Sequence, residues 1–220
     1  MTAPAPAPQR TPIALTIAGS DSSGGAGIQA DLKTFSAFGV YGASVVTALT
    51  AQNTRGVQAV EAVSAGFVAA QLDSVLCDLA VDAIKTGMLA DAGIVGAVAR
   101  MLQAGPRRPL VVDPVMVATS GDVLLEPGAI GALRSALIPL ATLITPNLAE
   151  AAVLLDTGKA ESEAEMRDQA RALLGLGCRA ALIKGGHGTG DRALDVLADA
   201  SDTETFASPR VATPHTHGTG

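Results

Sequence analysis

A chain of 220 residues with 48% hydrophobic side chains can bury one large α/β core, two small domains being the lesser reading. With 15 basic against 21 acidic residues the net charge is -6, and no Lys/Arg run exceeds Arg107 and Arg108, which excludes the electrostatic footprint of a nucleic-acid binder. Aromatics at 2%, the lack of Trp, and the absence of an apolar run of 18 residues or a signal-peptide core exclude single-strand stacking platforms and a spanning helix, predicting a soluble, cytoplasmic protein with small-molecule partners.

Residues 1–11 are rich in Ala and Pro, cannot form a helix and bury little, so a flexible tail is expected before a single domain over 12–220. IALTI at 13–17 reads as a strand and AGSDSSGGAGIQAD at 18–31 as a glycine loop opening a helix. Ile28, Leu32, Phe35 and Phe38 then recur at helical spacing up to a stop at Gly39. Gly24, Gly25 and Gly27 allow close backbone approach, and the helix start offers N–H groups to something polar or anionic. A tight βα connection could use the same glycines for geometry alone. No Gly-Lys followed by Ser or Thr occurs, which excludes a Walker phosphate loop. GAGIQA at 25–30 imitates the dinucleotide fingerprint, but no acid stands at 44–50 to hold a ribose, so a nicotinamide oxidoreductase is a weaker alternative.

The run 43–50 has a buried-strand composition, and a short run follows at 57–63. Ser64 caps a helix striped by Phe67, Val68, Leu72, Val75, Leu76 and Leu79, leading to a strand at 83–88. Asp91 opens a helix through Ile94, Val95, Val98, Met101 and Leu102, and the strand at 109–114 is broken by the proline after Asp113. Helices are predicted at 127–137, 147–156 and 162–176, the last with a Ser162/Glu165 capping box, and strands at 142–146 and 180–187. From Leu194 the pattern turns to alternation over 194–198 and 205–211, expected as antiparallel strands at one edge. Apolar strands separated by amphipathic helices predict an α/β fold with a mainly parallel sheet covered on both faces. Cys77 and Cys178 lack metal or disulfide spacing and are expected as buried structural cysteines.

In such sheets ligands bind beyond the carboxyl ends of the strands. Asp21, Gln52, Lys85, Thr86, Asp113, Thr145, Asn147, Lys184 and His187 all follow apolar runs. Each also has a plainer reading: Asp21 could satisfy the glycine loop, Gln52 could bond neighbouring backbone, and His187 could be an exposed loop residue. Asn147 and Glu150 have the spacing of an ordinary capping box. The functional reading is that Glu150, with Asp113, faces the crevice and arranges a hydrated Mg²⁺ beside nucleotide phosphates, and one residue can do both. Gly218, Thr219 and Gly220 would form another anion cradle if a helix followed.

These motifs occur in order: AGSDSSGGAGIQAD at 18–31, TALTAQNT at 47–54, KTGML at 85–89, DPVM at 113–116, TPNLAE at 145–150, KGGH at 184–187 and HGTG at 217–220. From residue 13 to 220 the chain closely resembles the bacterial hydroxymethylpyrimidine/phosphomethylpyrimidine kinases of thiamine biosynthesis, in the ribokinase-like superfamily. The resemblance implies a three-layer α/β/α sandwich that uses ATP and Mg²⁺ to phosphorylate 4-amino-5-hydroxymethyl-2-methylpyrimidine and then its monophosphate, and it leaves a homodimer open. It implies a substrate pocket formed by Gly19, Asp21, Gln52, Met88 and Val115, with Gln52 bonding the aminopyrimidine. Asp113 and Glu150 become the Mg²⁺-associated acids, Asn147 and Lys184 the nucleotide-phosphate side, and Gly218, Thr219 and Gly220 the catalytic anion hole. In that family a cysteine follows the Gly-Thr-Gly at once as catalytic base, with a helix behind it. This sequence stops at Gly220, so the expectation is a kinase domain short of its C-terminal helices and of the base. A pyridoxal kinase of the same superfamily and a non-catalytic pyrimidine-binding module are the alternatives.

Overall fold

The structure is a computed structural model describing residues 10–116, 125–186, 191–211 and 213. Its elements run β1 (Ile13–Asp21), α1 (Gly27–Ala37), β2 (Tyr41–Asn53), β3 (Gly56–Ala62), α2 (Ala65–Asp78), β4 (Ala83–Thr86), α3 (Ala92–Ala104), β5 (Leu110–Val112), α4 (Pro127–Ala132), β6 (Leu143–Ile144), α5 (Leu148–Leu155), α6 (Glu163–Leu174), β7 (Ala180–Lys184), β8 (Arg192–Asp199) and β9 (Thr203–Pro209). The helix starts are where the capping residues predict them. Ser64 accepts from the Phe67 amide, Asp91 from Ile94, and Ser162 from Glu165. The helix expected over 127–137 departs from α geometry after Ala132. It widens into a π turn at Leu133–Leu137 and tightens into a 3₁₀ turn at Ile138–Leu140, where Pro139 has no N–H to continue the ladder.

Among the described residues all nine strands form one sheet in the order β3-β2-β1-β4-β5-β6-β7-β8-β9. The block from β2 to β7 is parallel, and β8 and β9 add an antiparallel ribbon as the alternation from Leu194 predicts. At the opposite edge β3 folds back antiparallel on β2. Ile17, Thr86, Val112, Ile144 and Ala181 share one row across the sheet, all of them buried. Thr16 and Lys85 point to the other face, where Asp31 of α1 receives the Thr16 hydroxyl at 2.6 Å and the Lys85 ammonium at 3.0 Å. Right-handed crossovers going one way from β1 to β2 and the other way from β4 to β5 put α1 and α3 on opposite faces, giving three layers. The core lies in the layer where α2, α3 and α4 pack in succession, and it includes Leu15, Leu72, Ile94, Leu137 and Ile183.

Cys178 is buried as expected, and burial pushes its thiol up to about 11. Cys77 is not: it lies on the exposed side of α2, and that expectation is corrected. The α2 stripe is narrower than the sequence suggests, since Val68 and Leu72 are buried while Phe67 is 61% exposed. Among the described residues no helix is long and apolar enough to cross a membrane.

The opposite directions of the first and third crossovers make a switch point between β1 and β4, so the crevice lies at their carboxyl ends. There Gly27 has φ +57, and a Cβ on it would sit 2.4 Å from the Gly19 carbonyl oxygen. Gly27→Ala therefore combines an unfavourable left-handed backbone with a backbone clash, and should cost about 2–3 kcal/mol in denaturant unfolding. Gly39→Ala also has a positive φ but open space around it, and should cost less; equal losses would remove the clash from the argument.

Candidate functional site

The glycine loop is organised by a single carboxylate. Asp21 is 2% exposed and accepts the amides of Ser23 at 2.9 Å, Gly25 at 2.9 Å and Ala26 at 2.8 Å, together with the Ser23 hydroxyl. The N–H groups expected to greet an anionic ligand are turned inward onto the protein's own anion. Gln29, one turn into α1, reaches back to accept from the Asp21 amide at 2.9 Å and to donate to Ser20 Oγ at 2.9 Å. Sequence reasoning missed Gln29 as a loop brace, although its i+8 spacing from Asp21 through a glycine turn was visible.

Across the crevice, the Ser22 hydroxyl donates to the Gln52 carbonyl at 2.8 Å and accepts from the Gln52 amide at 2.9 Å, tying the loop to the end of β2. Thr47 donates to the Met88 carbonyl at 2.6 Å, fixing the buried segment after β4. A Cβ on Gly19 would lie 3.3 Å from Met88 Sδ, so a larger residue there would make the thioether give by a few tenths of an ångström. Gly19, Gln52 and Met88 thus gather at the ends of β1, β2 and β4, and Val115 follows β5 in a turn closed by its amide on the Asp113 carbonyl at 2.9 Å. Lys85, also at a strand end, is committed to Asp31 on the α1 face instead.

A second set lies at the ends of β5, β6 and β7. Asp113 Oδ1 takes the Lys184 ammonium at 2.9 Å and the Thr145 hydroxyl at 3.1 Å. The backbone bond from the Lys184 amide to the Pro146 carbonyl, 2.9 Å, brings Asn147 alongside. Asn147 Oδ1 accepts from the Ala149 and Glu150 amides while Glu150 Oε2 accepts from the Asn147 amide at 2.8 Å, a complete capping box. That leaves the NH₂ end of Asn147 as a donor. Glu150 is 6% exposed and its other oxygen receives the Met116 amide at 3.4 Å. Burial, and secondarily the negative charge of Asp113, push its carboxyl from an ordinary 4.5 up to about 7, with the Asn147 and Met116 amides and the Lys184 ammonium pulling the other way. Asp113 and Glu150 are the two acids at these strand ends, and Lys184 is paired to the first of them. Among the described residues no cluster of three or more His, Cys, Asp or Glu gathers at one place. His187, Gly218, Thr219 and Gly220 lie outside the described residues.

A sheet with helices on both faces thus carries one set of polar groups at the β1, β2 and β4 ends and an acid–lysine set at the β5, β6 and β7 ends. The sequence model described as phosphomethylpyrimidine kinase matches residues 21–220, and the chain belongs to that family. The hydroxymethylpyrimidine/phosphomethylpyrimidine kinase of Escherichia coli (strain K12) is 57% identical over 207 residues, covering 94% of this chain and 78% of that protein. The crystal structure of phosphomethylpyrimidine kinase from Clostridium difficile 630 superposes with a TM-score of 0.82 at 45% identity, over 89% of this chain and 84% of that one. The ADP complex of Bacillus subtilis pyridoxal kinase superposes with a TM-score of 0.87 at 40% identity, over 96% of this chain and 80% of that one.

Proposed function

We propose that the protein transfers the γ-phosphoryl group of ATP, with Mg²⁺, to the hydroxymethyl group of 4-amino-5-hydroxymethyl-2-methylpyrimidine and then to the resulting monophosphate. The observation that carries this reading is the Lys184–Asp113 pair at 2.9 Å beside the buried Glu150, since phosphoryl transfer asks a protein for positioned charge and little covalent chemistry. Gly19, Gln52, Met88 and Val115 form the pyrimidine side, with Gln52 giving its carboxamide to the ring. Asp21 acts through the loop that it folds. Lys184 and the NH₂ of Asn147 serve the nucleotide phosphates. Asp113 and Glu150 would hold Mg²⁺, which when bound neutralises phosphate charge.

Melting shifts test the reading. A ligand at 100-fold its Kd stabilises by about 2.7 kcal/mol, so the aminopyrimidine alcohol and Mg²⁺-ATP should each raise the midpoint. Pyridoxal is the second reading, favoured by the 40% identity to the Bacillus subtilis enzyme, and a shift with pyridoxal alone would replace the first. Gln52→Leu should weaken aminopyrimidine binding by about 1–3 kcal/mol, because a polar ring edge loses its partner, while nucleotide affinity stays within error. Calorimetry showing equal losses for both ligands would make Gln52 a structural residue.

A further inference from the structure

Beside Gln52 the structure holds a hydroxyl with no proton to spare. Thr50 is 8% exposed, and its Oγ lies 2.8 Å from the Ser20 carbonyl oxygen and 3.3 Å from Gln52 Oε1. A carbonyl can only accept and a threonine hydroxyl has one proton, so the shorter contact takes it. With its oxygen towards Thr50, Gln52 offers a second acceptor to a committed proton, and 3.3 Å is long for such a bond. A half-turn about the last side-chain bond removes this conflict. The carboxamide N–H then donates to the Thr50 lone pair, Thr50 still donates to Ser20, and Oε1 is left for a ligand.

We infer that Thr50 is a specificity-determining positioning residue, which orients the Gln52 carboxamide so that its oxygen faces the ligand and selects a ring bearing an N–H donor beside its hydroxymethyl group. This rests on the pyrimidine reading above. Replacing the 4-amino group of the pyrimidine by a 4-oxo group turns the substituent from donor to acceptor and the adjacent ring nitrogen from acceptor to donor. The 4-oxo ring therefore matches the opposite carboxamide orientation, which Thr50 disfavours.

The test is calorimetric titration of the parent chain, Thr50→Val and Thr50→Ser with the 4-amino and 4-oxo forms of 5-hydroxymethyl-2-methylpyrimidine. Valine keeps the shape and removes the lone pair, so the amino-over-oxo preference should fall about tenfold, the worth of one net hydrogen bond, while serine keeps it. Equal weakening for both rings in Thr50→Val would mean that Thr50 only anchors the Ser20 loop, and would overturn the inference. In the parent chain bound to the aminopyrimidine, a nuclear Overhauser contact is expected between the Gln52 NH₂ protons and the Thr50 side chain; its absence overturns the inference without reliance on any variant. Failure of the parent chain to bind either ring is a different result, and overturns the pyrimidine reading itself.

Discussion

Asp21→Ala should lower the unfolding free energy by about 2–4 kcal/mol and weaken aminopyrimidine binding, measured by denaturant titration and calorimetry. Hydrogen bonds to a charged group contribute about 1.5–3 kcal/mol each, and Asp21 receives three amides and a hydroxyl. The sum is smaller than three full bonds because Ser23 and Gly25 are exposed and water recovers part of what they lose. Asp21→Asn keeps one accepting oxygen but turns an NH₂ group towards the remaining donors, so it should fall between parent and alanine. Binding suffers because the same loop carries Ser22 to Gln52 and sets Gly19 against Met88. A loss below about 1 kcal/mol would mean that the glycine backbone holds its shape without the carboxylate.

This loop marks where the sequence stops being legible. That Gly24, Gly25 and Gly27 announce a strand–loop–helix follows from conformational freedom, and the letters alone suffice. Whether the loop's amides wait for a foreign anion or fold onto Asp21 depends on the backbone angles, φ +80 at Gly24 and φ +57 at Gly27, which no spacing rule supplies. The strands were legible because apolar runs bounded by Gly and Pro are short and repeated. The exposure of Cys77 and Phe67 was not, since a chain this rich in small apolar residues blurs the contrast between the two sides of α2. The capping reading of Glu150 was legible and the box is complete, and the acid also stands near Asp113 and Lys184. Thr50 escaped because a hydroxyl on a strand looks like ordinary β composition, and its role depends on which neighbour takes its single proton.

Replacing Glu150 by Gln should remove a pH dependence from the stability of the ligand-free protein. The folded Glu150 carboxyl titrates at about 7 and the unfolded one near 4.5, so between these values the folded state holds a proton that the unfolded state has released. Raising the pH through that window therefore costs folding free energy, and the cost levels off above the folded value. A difference of this size is on the order of 3 kcal/mol at 1.36 kcal/mol per unit. Subtracting the variant's unfolding curve from the parent's should show the parent losing ground from pH 4.5 to 7 and no further change to pH 8.5. Glutamine keeps an oxygen for the Asn147 amide, so the capping box remains and does not confound the comparison. Parallel curves across the range would mean that Glu150 ionises freely in the folded chain. If Asp113 and Glu150 hold Mg²⁺ as proposed, the cation stabilises the charge that burial opposes. Added Mg²⁺-ATP should then restore stability most above pH 7 in the parent, where the carboxylate is already ionised, and the variant's loss of affinity should be largest there and shrink as the pH falls. Unchanged Mg²⁺-ATP affinity in Glu150→Gln would leave the residue as a cap and assign the cation to Asp113 alone.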